Sequence, residues 1–178
     1  MIVDADGRVG DARYVASDNC DERPAGVAIS LLVIHNISLP PGEFGGEAIE
    51  QLFTNRLDCA AHPYFAGLAG KRVSAHFLIR RGGELLQFVP CAKRAWHAGV
   101  SNWRGRERCN DFSIGVELEG TDDQPYTDVQ YRVLAELGRA LRRAYPITDI
   151  AGHCEIASGR KTDPGPSFEW TRFRASLE

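Results

Sequence analysis

Between Gly152 and Gly165 the chain reads Gly-His-Cys-Glu-Ile-Ala-Ser-Gly-Arg-Lys-Thr-Asp-Pro-Gly, and three of these side chains suit metal-assisted hydrolysis. His153 offers an imidazole nitrogen, Asp163 a hard carboxylate oxygen ten positions later, and Lys161 a cation two residues before that carboxylate. A hydrolytic zinc site takes three protein ligands of these types and leaves a fourth position open, so a third ligand must come from elsewhere in the chain. A surface loop closed by a helix cap is the alternative for the His–Asp pair, and the loop alone does not separate the two.

His35 is the candidate third ligand. It follows Ile29 to Ile34, a nearly continuous apolar run rich in β-branched residues, the pattern of a strand buried on both faces. A histidine leaving such a strand stands in the crevice outside the strand ends, where active-site groups of open α/β sheets collect. The competing reading is a hydrogen-bonded histidine that closes the strand. Glu117 is the candidate base. Phe112 to Glu119 alternates strictly, with Phe112, Ile114, Val116 and Leu118 on one face and Ser113, Gly115, Glu117 and Glu119 on the other. Small neighbours leave room beside the Glu117 carboxylate for a water it could deprotonate. The same alternation also suits a solvent-facing edge strand.

The elements that must position these residues follow from periodicity and turn chemistry. Residues 1 to about 28 show little periodicity and are expected to form an irregular arm. Leu39 to Gly46, rich in proline and glycine, is a loop beside His35. Glu47 to Asn55 places Ala48, Ile49, Leu52 and Phe53 at helical spacing. Val73 to Arg80 and Leu85 to Val89, joined through Arg81-Gly82-Gly83-Glu84, read as a hairpin, with His76 a core histidine in mid-strand. Thr127-Asp128-Val129-Gln130 has the form of a capping box, and Val133, Leu134, Leu137, Leu141 and Ala144 continue the longest helix to Pro146. Ile147 to Ala151 is a short strand running into His153, and the intervening helix allows it to lie parallel to the strand before His35. Phe168, Trp170 and Phe173 mark a terminal packing helix. These elements define one α/β domain over residues 1–178, a mixed central β-sheet flanked by α-helices, with the zinc cleft at the strand ends.

A chain of 178 residues with 43% hydrophobic and 25% charged residues can bury a core without disulfide or metal staples, which excludes disordered and membrane-spanning classes. A net charge of −3 gives no global reason to expect nucleic acid or an anionic membrane as partner. The five cysteines, Cys20, Cys59, Cys91, Cys109 and Cys154, include no C-x-x-C pair and read as reduced thiols. The first residues have acidic side chains where a signal peptide would be basic and then apolar, so the expected location is the cytoplasm.

Four stretches, Val33–Phe44, Arg94–Gly99, Asn110–Glu117 and Gly152–Pro166, resemble in order the N-acetylmuramoyl-L-alanine amidases related to peptidoglycan recognition proteins. The resemblance is strongest to the cytoplasmic branch that acts on 1,6-anhydro muropeptides, and runs from about Leu31 to Phe173. It implies that His35, His153 and Asp163 hold Zn²⁺ and that Glu117 moves protons between the attacking water and the departing amine. Lys161 would share with zinc the negative oxygen of the tetrahedral intermediate. It further implies that Arg72 and Arg108 hold stem-peptide carboxylates, and that Asn36, Trp96 and His97 line the substrate cleft. The implied protein is a monomeric hydrolase that releases the stem peptide from anhydromuropeptides during cell-wall recycling. In organisms where such muropeptides signal to a β-lactamase regulator, its loss would raise resistance. Alternatives are an amidase of intact peptidoglycan and a recognition module that binds muropeptides without cutting them. A metal-free structural domain would require His35, His153 and Asp163 to stand far apart.

Overall fold

Ten strands, four α-helices and two short 3-10 helices (Pro63–Leu68 and Cys109–Asp111) make up the computed structural model of residues 1–178. The strands are β1 (Arg13–Tyr14), β2 (Cys20–Glu22), β3 (Leu31–Ile37), β4 (Phe77–Ile79), β5 (Leu85–Gln87), β6 (Lys93–Ala95), β7 (Asn102–Trp103), β8 (Arg106–Glu107), β9 (Ser113–Glu119) and β10 (Asp149–Gly152). The helices are α1 (Ala48–Phe53), α2 (Asp128–Ala144), α3 (His153–Ile156) and α4 (Trp170–Ala175). None is long and apolar enough to cross a membrane.

Six strands form a mixed sheet in the order β1-β5-β4-β9-β3-β10. Strands β4, β9, β3 and β10 are parallel, whereas β5 runs antiparallel to β4 and carries β1 along its outer side. Two antiparallel ribbons, β2–β6 and β7–β8, stand apart from it. The alternation of β9 explains its place at the centre. Ile114, Val116 and Leu118 join Leu32 and Ile34 of β3 and Phe77 of β4 in a core cluster with Leu134, Leu137 and Leu141 of α2. Each such side chain contributes about 1.5–3 kcal/mol on burial. On the opposite face Leu31 and Val33 pack with Phe112, Ala151 and Ile156. Helix α2 begins at the expected capping box: Thr127 Oγ1 accepts from the Gln130 amide, and Gln130 Oε1 accepts from the Thr127 amide. Gly138 lets Leu177, just beyond α4, approach α2, since a Cβ there would come within 2.8 Å of its Cδ2.

Register carries the functional residues. In the β3–β9 ladder His35 stands opposite Glu117, and in the β3–β10 ladder Gly152 stands opposite Ile34. His153, the next residue, therefore begins α3 beside His35.

Three expectations change. The strand expected to stop at Ile34 continues to Ile37, because β9 pairs with it over seven residues, so His35 lies within the strand and not beyond its exit. Strand β9 is no edge: it sits between β3 and β4, and Glu117 is 8% exposed. The amino-terminal arm is not irregular throughout, since β1 extends the main sheet and β2 pairs with β6. The arm is held by backbone pairing, the half-buried Arg23 and scattered apolar contacts such as Val9 rather than a regular apolar face, which is why no periodicity announces it. Arg23 donates to the carbonyls of Cys91, Asn110, Asp111 and Ser113.

Because four carbonyls lose a donor when Arg23 is removed, Arg23→Met should destabilise the protein by roughly 3 kcal/mol in urea unfolding. Thr127→Ala, which removes only a helix cap, should cost about 1 kcal/mol. Equal, small effects would contradict the arm's place in the fold.

Candidate metal centre and active site

The parallel register brings three potential ligands together. His35 Nδ1 lies 3.0 Å from His153 Nδ1, and each lies 3.1 Å from Asp163 Oδ2. One ion can reach all three atoms at the bond lengths of zinc, about 2.0–2.1 Å. His35 comes from β3, His153 from the first turn of α3, and Asp163 from the loop after α3. That loop is closed locally, with the Cys154 amide donating to the Asp163 carbonyl at 2.9 Å and Glu155 accepting from the Gly152 amide at 2.7 Å. Gly152 permits the closure, because a Cβ there would come within 2.9 Å of the Pro164 ring. The metal-free structural reading needed these residues far apart, and they stand together.

The charges match what a metal requires. Burial pushes the His35 imidazole down to about 4, against the pull of its hydrogen bond to Asp163, so it is neutral at pH 7. Burial alone would raise Asp163, but hydrogen bonds to His153 and His35 outweigh it and hold the carboxyl below the usual range, ionised. Glu117 behaves oppositely. Burial, with a smaller push from Asp163, raises its carboxyl well above the usual value, and Lys161 only partly offsets this. Glu117 Oε2 is buried without a hydrogen-bond partner. Two imidazole nitrogens, one carboxylate oxygen and an unpartnered buried acid beside them fit a zinc ion with an adjacent water.

These groups open on a cleft of about 510 Å³. Asn36, Trp96 and His97 line it together with Glu117, His153, Lys161 and Asp163, and the loop residues Ser38, Leu39 and Pro41 form part of its wall. Lys161 is exposed. The Asn36 amide donates to Asp122 at 2.8 Å, and the Trp96 indole donates to Asp21 at 3.2 Å. His97 is held differently: Nδ1 lies 2.9 Å from His35 Nε2, and Nε2 lies 3.2 Å from Ser113 Oγ. Gly115 makes room for it, since a Cβ there would meet the His97 ring at 2.5 Å.

Arg72 and Arg108, expected to hold stem-peptide carboxylates, do not line this cleft. Arg72 is exposed and lines a smaller pocket with Leu57 and Lys71. Arg108 takes a left-handed conformation (φ 58°), its guanidinium is 3.1 Å from Asp111, and it lines a separate groove of about 760 Å³. Two cleft residues escaped the sequence reading. Arg160, which donates to the carbonyls of Ala98 and Val100, could have been found as the neighbour of Lys161 in the same loop. Asp122 carries no signal in the sequence.

A profile of the N-acetylmuramoyl-L-alanine amidase family matches residues 25–166. The chain belongs to this family. It is 62% identical over 177 residues to the 1,6-anhydro-N-acetylmuramyl-L-alanine amidase AmpD of Citrobacter freundii, covering 98% of this chain and 94% of that one. A crystal structure of a selenomethionine derivative of AmpD superposes with a TM-score of 0.97 at 61% identity over the full length of both chains. The amidase AmiD of Escherichia coli, solved with the substrate anhydro-N-acetylmuramic acid-L-Ala-D-γ-Glu-L-Lys, superposes with a TM-score of 0.63 at 30% identity, over 88% of this chain and 60% of that one. The single mixed-sheet domain of this amidase is thus the fold expected from its elements.

The Glu117 shift gives this amidase a pH signature. A carboxyl whose folded pKa is raised contributes stability below its unfolded pKa, and that contribution is lost as pH rises towards the folded value. In metal-free protein, Glu117→Gln should therefore raise the thermal midpoint at pH 7, and the difference should close near pH 4. A gap that persists unchanged at pH 4 would contradict the burial of an unpartnered acid.

Proposed function

We propose that this amidase is zinc-dependent and cleaves the amide between the lactyl group of 1,6-anhydro-N-acetylmuramic acid and L-Ala of the stem peptide. The observation that carries the reading is the set of three ligand atoms 3.0–3.1 Å apart, beside a buried carboxyl with an unpartnered oxygen. The sugar preference is supported by 62% identity to an amidase named for the 1,6-anhydro substrate. The cytoplasm is its proposed place of action, a reading supported by five unpaired cysteines.

When bound, zinc supplies a Lewis acid that polarises a carbonyl and acidifies water. His35 and His153, each through an imidazole lone pair, and the Asp163 carboxylate would hold it and leave one net positive charge at the centre, which favours the anion that develops during attack. Glu117 stands opposite His35 across the β3–β9 ladder. Its carboxylate takes a proton from the attacking water, and its raised pKa makes the resulting acid able to return that proton to the departing amine. The Lys161 ammonium adds a second cation for the developing oxyanion. A cleft of about 510 Å³ is of the size that encloses a small-molecule ligand, and the half-buried Trp96, its indole fixed by Asp21, offers an apolar wall to the sugar.

Mass spectrometry of the products from anhydromuramoyl-tripeptide tests the proposal. Free tripeptide and anhydromuramic sugar should appear, vanish with a chelator and return with zinc. Glu117→Ala should lower kcat by about 10² to 10⁴ and Lys161→Ala by about 10² to 10³. Intact substrate after incubation with folded, zinc-loaded protein would overturn the reading.

A further inference from the structure

The two histidines of the centre differ in what holds their second ring nitrogen. His153 Nε2 lies 3.1 Å from the Ala98 carbonyl oxygen, which can only accept. That nitrogen therefore carries the proton, and Nδ1 keeps its lone pair for the centre. His35 Nε2 instead meets Nδ1 of His97 at 2.9 Å, a partner able to donate or to accept. For His35 to present a lone pair at Nδ1, its proton must sit on Nε2, and His97 Nδ1 must be the acceptor. The proton of His97 then lies on Nε2, facing Ser113 Oγ at 3.2 Å. One consistent chain of donors runs from His35 through His97 to Ser113.

His97 is built into this place. Its backbone amide and that of Ala98 both donate to Asn110 Oδ1, at 3.2 and 2.8 Å. Its ring meets that of His35 edge-on, 5.0 Å between centroids, over the gap left by Gly115. Both ring nitrogens are engaged within the protein, so neither is free for a substrate, although the residue forms part of the cleft wall. The same short segment thus serves both ligands, His97 for His35 and the Ala98 carbonyl for His153.

We propose that His97 is a positioning residue for the metal centre: it accepts the Nε2 proton of His35 and so fixes the tautomer and ring plane that aim Nδ1 at the ion. This rests on the zinc reading above. Partners that orient a metal-bound histidine typically contribute 10- to 100-fold to metal affinity.

The test compares zinc affinity, by chelator competition, in wild type, His97→Leu and His97→Asn. Asparagine Oδ1 can stand where Nδ1 does and accept the same proton, whereas leucine fills the space without an acceptor. His97→Leu should bind zinc about 10- to 100-fold more weakly, and His97→Asn should stay close to wild type. Wild-type zinc affinity in His97→Leu, or a raised KM with unchanged zinc affinity, would overturn the proposal, the latter by making His97 a substrate contact. A variant that does not fold is replaced by long-range nitrogen-15 correlation spectra of zinc-loaded wild type, in which only five histidines must be resolved. Protons on Nε2 of both His35 and His97 are expected, and a proton on Nδ1 of His97 overturns the assignment. Wild-type protein that takes up no zinc would fail earlier, at the metal reading itself.

Discussion

Three parallel strands, β10, β3 and β9, share a register that puts Gly152 beside Ile34 and His35 beside Glu117, and the buried part of the centre depends on it. Side chains along a strand alternate between faces, so a slip of one residue in β3 would turn His35 into the core beneath α2 and bring an apolar side chain into the cleft. The apolar pattern forbids that slip. Leu32 and Ile34 on β3, with Ile114, Val116 and Leu118 on β9, fill the face covered by α2, and their burial is lost if either strand shifts. The hydrophobic core thereby sets the position of polar groups that would not choose that position themselves.

Those groups stand in an environment that disfavours them singly. A buried carboxyl oxygen without a partner costs about 1–3 kcal/mol, and Glu117 carries one. His35 Nδ1 and His153 Nδ1 stand 3.0 Å apart and each 3.1 Å from Asp163 Oδ2, so three potential ligand atoms crowd round one point. Crowded ligand atoms and a buried carboxyl oxygen without a partner are what a cation with a neighbouring water would satisfy. The fold offsets this local cost through the α2 interface and through a loop that closes on itself around Asp163.

Much of this was legible before any coordinates. Residue chemistry marked His35, Glu117, His153, Lys161 and Asp163, and apolar pattern with a capping box located α2 and the strands β3 and β9, because α2 and β9 each turn an apolar face to the core and β3 is apolar on both faces. The arm was not legible, since β1 and β2 are joined by backbone hydrogen bonds and Arg23 gains its partners from residues far along the chain. The family likeness implied substrate contacts for Arg72 and Arg108, and no pattern in the sequence foretold the left-handed turn and the Asp111 contact that set Arg108 at a groove of its own. His97 shows the limit most clearly. The family resemblance implied a cleft residue, and only the fold shows that both its nitrogens are taken by His35 and Ser113.

The central claim is that one ion joins His35 Nδ1, His153 Nδ1 and Asp163 Oδ2. Anomalous diffraction at the zinc edge from crystals grown with zinc tests it most directly. The account predicts a single strong peak about 2.0–2.1 Å from all three atoms, with a fourth position open towards Glu117. A peak elsewhere, or ligation through Nε2 of either histidine, would contradict it.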